Sequence, residues 1–153
     1  MRAGTENVAG IAGFGAAAAA AMRYMAVETA RIVQLRDEYE RRLLEIVPGV
    51  TIFGKDAPRL PNTSAFSLPG LSAERALILF DMNNVSLSSG SACSSGKVKR
   101  SHVLEAMGID DKMTESALRV SFGWSSTMAD VELMMSALSK VMAARKHEAQ
   151  AAA

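Results

Sequence analysis

The sequence predicts an α+β domain in which helices pack against a small, mostly antiparallel sheet. Helical and strand patterns alternate in the order α-α-β-β-α-β-α-β-α, without the repeated βαβ units of a doubly wound parallel sheet. The chain has 153 residues, of which 49% are hydrophobic and 22% are charged. This length and composition suit a single domain with a buried core.

The amino-terminal part predicts two helices. Residues Glu6–Met22 are mostly small and apolar, with high helix propensity. In Met25–Val47, apolar residues recur every three or four positions, which is typical of a long amphipathic helix, and Pro48-Gly49 ends it. Oppositely charged residues stand four apart on its other face: Arg36 and Glu40, Glu38 and Arg42, and Arg41 and Glu45. The glycines of the first helix would allow a second helix to approach closely; they are Gly10, Gly13 and Gly15.

The remainder of the chain predicts four strands and three more helices. Ser72 is placed to cap the third helix, with Glu74 in its first turn. Thr127, followed three residues later by Asp130, is a capping-box-like start for the last helix. The predicted segments are Val50–Phe53, Ser64–Leu68, Ala73–Met82, Val85–Ser89, Ser101–Met107, Ala117–Phe122 and a final helix from Thr127 that frays beyond His147.

Composition argues against several classes of protein. The net charge is only +1, so neither nucleic acid nor an anionic membrane is expected as a partner. A single cysteine excludes a disulfide scaffold, and no metal site is predicted from one cysteine and two distant histidines. The longest uninterrupted apolar run, Ala16–Met22, is far shorter than the roughly 20 residues that cross a bilayer. Because no secretory signal pattern is present, a cytoplasmic location is expected.

The only cysteine lies in an unusual segment. Residues 90–96 contain no large apolar side chain, so we expect an exposed, glycine-bounded loop around Cys93. A buried, inert thiol is the usual state of a lone cysteine, but the nearby cations favour an exposed thiol with a lowered pKa. Phosphate-binding loops need a different glycine spacing, and a catalytic pair of Cys93 with His102 is only conceivable. The cations are Lys97, Lys99 and Arg100.

Four segments carry a resemblance to a known family. The stretch Ser88–Gly96, SSGSACSSG, resembles the active-cysteine loop of NifS-like (group I) cysteine desulfurases, which belong to the class V aminotransferases. Arg2–Ile11 resembles that family's Arg-x-Gly-Thr segment, and Leu60–Thr63 and Leu118–Gly123 follow in the expected order. The resemblance covers essentially the whole chain, but it corresponds only to the carboxyl-terminal part of such an enzyme.

The resemblance implies a fold and a domain organisation. It places this chain as the small carboxyl-terminal domain of a fold-type I pyridoxal-phosphate enzyme. Residues 1–24 would form a connecting helix from the cofactor-domain side, residues 25–147 the small domain, and residues 148–153 a frayed tail. The full enzyme would be a homodimer.

The resemblance also implies an activity and site residues. Such enzymes remove sulfur from L-cysteine with pyridoxal 5'-phosphate, giving alanine and a persulfide that passes to a sulfur acceptor or scaffold protein, for iron–sulfur cluster assembly or thiolation. Cys93 would be the nucleophile. Arg119 would bind the substrate carboxylate, although a solvated strand arginine is the alternative. Thr5 would reach the cofactor phosphate of the neighbouring subunit, and it could also serve as a helix N-cap.

The expected Schiff-base lysine is missing from this chain. None of its six lysines stands in the family's Ser/His-Lys setting, and Val103 occupies the lysine's place after Ser101-His102. We therefore expect that the chain alone does not hold the cofactor and that a missing amino-terminal cofactor domain is a required partner. Two alternatives stay open: a non-catalytic persulfide carrier or interaction module, and a domain that aggregates when its apolar surface is left uncovered.

Overall fold

The computed structural model describes residues 4–90 and 101–151, with side chains as far as residue 145. It confirms the predicted α+β class, since helices pack on a small sheet. The helices are α1 (Val8–Ile46), α2 (Ala73–Asp81), α3 (His102–Ala106), α4 (Asp111–Glu115) and α5 (Met128–Ala151). The strands are β1 (Thr51–Ile52), β2 (Thr63–Ser67), β3 (Ser88–Ser89) and β4 (Ala117–Ser121).

The sheet has the strand order β1-β2-β4-β3, and every neighbouring pair is antiparallel. The central pair, β2 and β4, runs from Thr63 opposite Ser121 to Ser67 opposite Ala117. The two edge strands contribute two residues each. The long central pair therefore sets the position of the whole sheet, and the short edge strands depend on it.

The first two predicted helices are in fact one. Helix α1 is continuous over 39 residues and passes through Arg23 and Tyr24 without a break. No glycine or proline stands between the two predicted segments, so the backbone hydrogen bonds continue from one to the other. The helix ends at Ile46, just before Pro48-Gly49 as predicted, and Gly49 takes a positive φ of 78° there.

The main core lies between one face of the sheet and helices α1, α2 and α5. Tyr39 of α1 is fully buried at its centre. Its ring makes edge-on contacts with Phe66 of β2 and with Phe122, with 5.9 Å between ring centroids in each pair. A smaller cluster on the other face brings α3 onto the sheet; its buried members are Phe53, Leu104 and Ala117.

The amino-terminal half of α1 stands outside this core. Every residue from 8 to 27 is exposed, and the first buried residue of the helix is Leu35. Among the described residues no close packing forms at Gly13 or Gly15, because a side chain built at either position meets nothing within 4 Å. The change from exposed to buried occurs within one continuous helix.

Helix α1 also bears on the expectation that the chain has no membrane-spanning segment. By length and composition alone it could cross a membrane, since an 18-residue window has a mean hydropathy of 1.3. The expectation rested on uninterrupted apolar runs, whereas this window averages over residues that include glycine and polar side chains. Alanine supplies much of the window, and its single methyl group gives little apolar area per residue.

The remaining elements differ from the predictions mainly in length. Ser72 caps α2 by accepting a hydrogen bond from the Arg75 N–H at 3.4 Å, as predicted. Strand β3 is shorter than predicted, and the short helix α4 was not predicted at all. Helix α5 begins after Thr127 as predicted and continues to Ala151, beyond the point at which fraying was expected.

Candidate functional site

Arg119 lies in the central strand β4, on the sheet face opposite the main core, the face that also carries the smaller cluster with α3. Leu118 and Val120 on either side of it belong to the main core, so strand alternation directs Arg119 to the opposite face, where it is exposed. Ala65 of β2 and Ser88 of β3 stand opposite it. No carboxylate within residues 4–90 and 101–145 forms a salt bridge with Arg119. Its guanidinium can therefore receive a carboxylate through two parallel hydrogen bonds.

Strand β3 leads directly into the segment that contains Cys93. Ser89 pairs with Leu118 beside Arg119, and Gly90 follows with a positive φ of 50°. Cys93 lies outside the described residues. The predicted nucleophile thus follows, within a few residues of sequence, a strand that pairs with the predicted carboxylate ligand.

Thr5 precedes α1 and is exposed. It is not the N-cap of the helix, because Asn7 occupies that position and accepts a hydrogen bond from the Gly10 N–H at 3.0 Å. The axial rise of a helix places Val8 about 40 Å from Leu35, the first buried residue of α1. The structure therefore does not bring Thr5 together with Arg119.

Several histidines or acidic residues of the described ranges would have to lie together to form a metal centre. Within the part of the chain that the structure describes, no three His, Cys, Asp or Glu side chains come together as possible ligands. His102 begins α3 and is exposed. Because Cys93 lies outside the described residues, its conceivable pairing with His102 stays a prediction.

An apolar groove runs beside α1 where the helix leaves the core. Its volume is about 790 Å³, and small and aromatic side chains supply most of its wall. Trp124, with 84% of its surface exposed, stands at one side. The groove is lined by Ala17, Ala20, Ala21, Tyr24, Met25, Glu28, Thr29, Ile32, Pro61, Asn62 and Trp124.

Charged residues of α1 hold the loop that carries Pro61 and Asn62. Arg59 donates two hydrogen bonds to the buried Glu40 carboxylate, at 2.7 and 2.9 Å. Arg36 donates to the Leu60 carbonyl at 3.0 Å. Burial by itself would raise the pKa of Glu40, but the hydrogen bonds and charge of Arg59 hold that pKa below its usual value.

These contacts correct one part of the predicted charge pattern. Glu40 pairs with Arg59, and Arg36 forms its salt bridge with Asp37, so the predicted pair of Arg36 with Glu40 is replaced. The other two predicted pairs are confirmed: Glu38 with Arg42, and Arg41 with Glu45. Helical spacing could not reveal the Glu40–Arg59 contact, because its partners come from different elements.

The fold of this chain is that of a known class of protein. The family model described as "Aminotransferase class-V" matches residues 1–134. The chain therefore belongs to the aminotransferase class-V family, which confirms the predicted family.

The relatives within this family include cysteine desulfurases. "Cysteine desulfurase" of Gluconacetobacter diazotrophicus is 39% identical over 93% of this chain and 36% of the relative. "Cysteine desulfurase NifS" of Azotobacter vinelandii is 34% identical over 93% of this chain and 35% of the relative. The X-ray structure of a NifS-like protein from Rickettsia africae matches with a TM-score of 0.81 and 34% identity, covering 92% of this chain and 36% of that one. The chain thus spans little more than a third of the relatives that it matches.

Proposed function

We propose that this chain is the carboxyl-terminal part of a cysteine desulfurase, which removes sulfur from L-cysteine to give L-alanine and a persulfide. The observation that carries the proposal is the position of Arg119 directly beside β3, the strand that leads towards Cys93. Arg119 thus lies beside the strand that Cys93 follows in the sequence. The desulfurase names of the relatives support the same reaction.

The described residues do not fit a complete pyridoxal-phosphate site. Such a cofactor is held through a Schiff base to a lysine, in a setting that other residues enclose. Lys55, Lys112 and Lys140 are exposed, and none of them lines the groove beside α1. Thr5 offers one hydroxyl at the outer end of α1. We therefore assign the cofactor and its lysine to an amino-terminal part of the enzyme, outside these 153 residues.

Arg119 would bind the α-carboxylate of L-cysteine. An exposed planar guanidinium supplies two parallel N–H donors, which a lysine ammonium cannot do. The residues opposite Arg119, Ala65 and Ser88, have small side chains, and Ala65 packs against the smaller cluster that includes Leu104 of α3. A charge-assisted, two-pronged contact would hold the substrate in one orientation, with its side chain at a fixed distance from the sheet.

Cys93 would accept the sulfur. Its thiolate attacks the sulfur of L-cysteine; a sulfur–sulfur bond forms, the carbon–sulfur bond breaks and its electron pair stays with the substrate carbon. Protonation of that carbon completes alanine, and Cys93 carries the persulfide. Lys97, Lys99 and Arg100 stand close to Cys93 in the sequence, and their charges would favour the thiolate.

The exposed half of α1 would be covered by polypeptide. Its apolar side chains, including Phe14 at 78% exposure and Met22 at 79%, form an apolar surface of the kind that marks a protein interface. The relatives have almost two thirds of their length beyond the matched part, which is enough for a cofactor domain. We assign this face to that domain rather than to lipid, and we assign Thr5 to the cofactor phosphate of a neighbouring subunit in a homodimer.

A chimera tests the proposal. The matched part of the Gluconacetobacter diazotrophicus enzyme is replaced by this chain, and alanine release and the persulfide on Cys93 are measured after addition of L-cysteine. We expect both products with the unchanged chain and neither with Cys93→Ala. Arg119→Lys keeps the charge but loses the two-pronged contact, so KM for L-cysteine should rise about tenfold or more. A chimera that folds and binds the cofactor but releases no alanine contradicts the proposal.

The persulfide carrier is the alternative function. It predicts that the chain alone receives sulfur on Cys93 from an intact desulfurase without any cofactor of its own. Mass spectrometry of the chain after incubation with the intact Gluconacetobacter diazotrophicus enzyme and L-cysteine distinguishes a persulfide carrier from a part of a desulfurase. A persulfide there, together with an inactive chimera, favours the carrier.

A further inference from the structure

The turn between β4 and α5 is closed on itself and packs beside α1. The Ser126 N–H donates to the Gly123 carbonyl at 3.0 Å, and the Gly123 N–H donates to the Ser126 hydroxyl at 2.9 Å. These two bonds fix the internal shape of the turn. They do not fix where the turn lies relative to the helix.

Arg31 of α1 supplies that second constraint. Its guanidinium donates to the Ser126 carbonyl and, at 2.8 Å, to the Trp124 carbonyl. A longer contact of 3.4 Å reaches the Gly123 carbonyl, and Glu28, one turn earlier on α1, holds the guanidinium at 2.8 Å. One planar group with five N–H donors thus joins the helix to three carbonyls of one turn.

We propose that Arg31 is a positioning residue: it holds the Gly123–Ser126 turn on α1 and thereby fixes the end of β4, the strand that presents Arg119 to the substrate. This inference rests on the proposed function. The turn follows Phe122 directly, and the Phe122 N–H donates to the Asn62 carbonyl at 2.8 Å. Because β3 pairs with β4, a shift of β4 along the helix would move Arg119 and the start of the Cys93 segment together.

The core contacts of β4 do not provide the same constraint. The ring of Phe122 packs against Tyr39, and apolar contacts of this kind are non-directional. Hydrogen bonds to three carbonyls are directional, so they set the height of the turn along α1. The Arg31 side chain is 34% exposed, so we expect its loss to affect position more than global stability.

Trp124 provides an intrinsic probe of this constraint. It is the only tryptophan of the chain, its indole is exposed at the groove, and its own carbonyl accepts a hydrogen bond from Arg31. Its fluorescence anisotropy decay therefore reports the motion of the turn. Hydrogen exchange of the Phe122 amide, which donates to the Asn62 carbonyl outside the turn, reports whether the end of β4 leaves its place.

The first test compares three variants of the complete chain. Arg31→Ala should raise exchange at Phe122 about tenfold and add a fast component to the Trp124 anisotropy decay, and Arg31→Lys should restore part of the protection. Arg41→Ala is the matched control, since Arg41 pairs with Glu38 and Glu45 on the same helix and should leave both signals unchanged. Circular dichroism confirms that the variants are folded. Unchanged exchange in Arg31→Ala overturns the proposal.

The second test measures kinetics in the chimera. Arg31→Ala should raise KM for L-cysteine about tenfold with a smaller change in kcat, as expected for a misplaced carboxylate ligand, and Arg31→Lys should lie between. Increased exchange with an unchanged KM overturns the role assigned to Arg31 while the proposed function stands. A chimera that is inactive with the unchanged chain instead contradicts the proposed function, and the role of Arg31 in that reaction fails with it.

Discussion

At the scale of single residues, the described part of the domain holds a buried charge beside a fully buried tyrosine. Burial, together with the negative charge of Glu40, raises the pKa of Tyr39 well above its usual value, so the phenol stays protonated. Glu40 itself is buried and needs a counter-charge, which Arg59 supplies through two hydrogen bonds. The same pair holds the loop beside the groove. Its loss would therefore affect both the stability of the core and the shape of the groove.

Removal of Arg59 is expected to destabilise the domain. Arg59→Ala leaves the Glu40 carboxylate buried without its partner, which should lower the free energy of unfolding by about 3 kcal/mol at neutral pH. Chemical denaturation measures the change. Arg41→Ala, which breaks an exposed pair on the same helix, should have a much smaller effect. Equal losses in the two variants would contradict the account.

The same pair predicts a pH dependence. In the folded wild-type chain the pKa of Glu40 lies below the ordinary value of 4.5. The contribution of the pair is therefore complete above the unfolded pKa and is lost as the pH falls through the lower folded pKa. In Arg59→Ala, burial is still the largest influence on the pKa of the carboxyl and favours its protonated form, opposed by the Ser64 hydroxyl and the charge of Arg36. The difference in free energy of unfolding between the two proteins should thus shrink from neutral pH to about pH 4; a constant difference would contradict this.

At the scale of elements, the starts of α2 and α5 and the end of α1 follow from local sequence. Thr127 donates its N–H and its hydroxyl to the Asp130 carboxylate, at 2.7 and 2.9 Å, as the capping-box-like spacing suggested. Strand β3 could not be bounded in the same way. Asn84 takes a positive φ of 60°, and the Val85 N–H donates to the Phe80 carbonyl, so the chain is still turning where the alternating pattern begins.

Helix α1 supports a prediction about domain organisation. Deletion of residues 1–24 removes only exposed side chains among those described. The remaining chain should therefore keep a cooperative thermal transition, followed by far-ultraviolet circular dichroism. Leu43→Ala in the buried half of the same helix should lower the free energy of unfolding by about 2–5 kcal/mol. Loss of the cooperative transition on deletion would contradict the predicted boundary between a connecting helix and a small domain.

At the scale of the whole molecule, sequence motifs and packing answer different questions. Four ordered motifs predicted the family, and the alternating pattern of Ala117–Phe122 predicted the strand that carries Arg119. The position of Arg31 could not be predicted in this way, because it lies more than 90 residues from the carbonyls that it holds. The continuity of α1 was missed because two hydrophobic patterns of different composition meet in one helix.

The most direct test of the account is alanine release from L-cysteine by this chain alone, with added pyridoxal phosphate and a thiol reductant. The central claim is that the chain supplies Cys93 and Arg119 but not the lysine that holds the cofactor. The account therefore predicts no release above background by the wild-type chain or by Cys93→Ala, and release by the chimera. Release by the isolated wild-type chain that disappears in Cys93→Ala would contradict the claim, because it would make these 153 residues an enzyme by themselves.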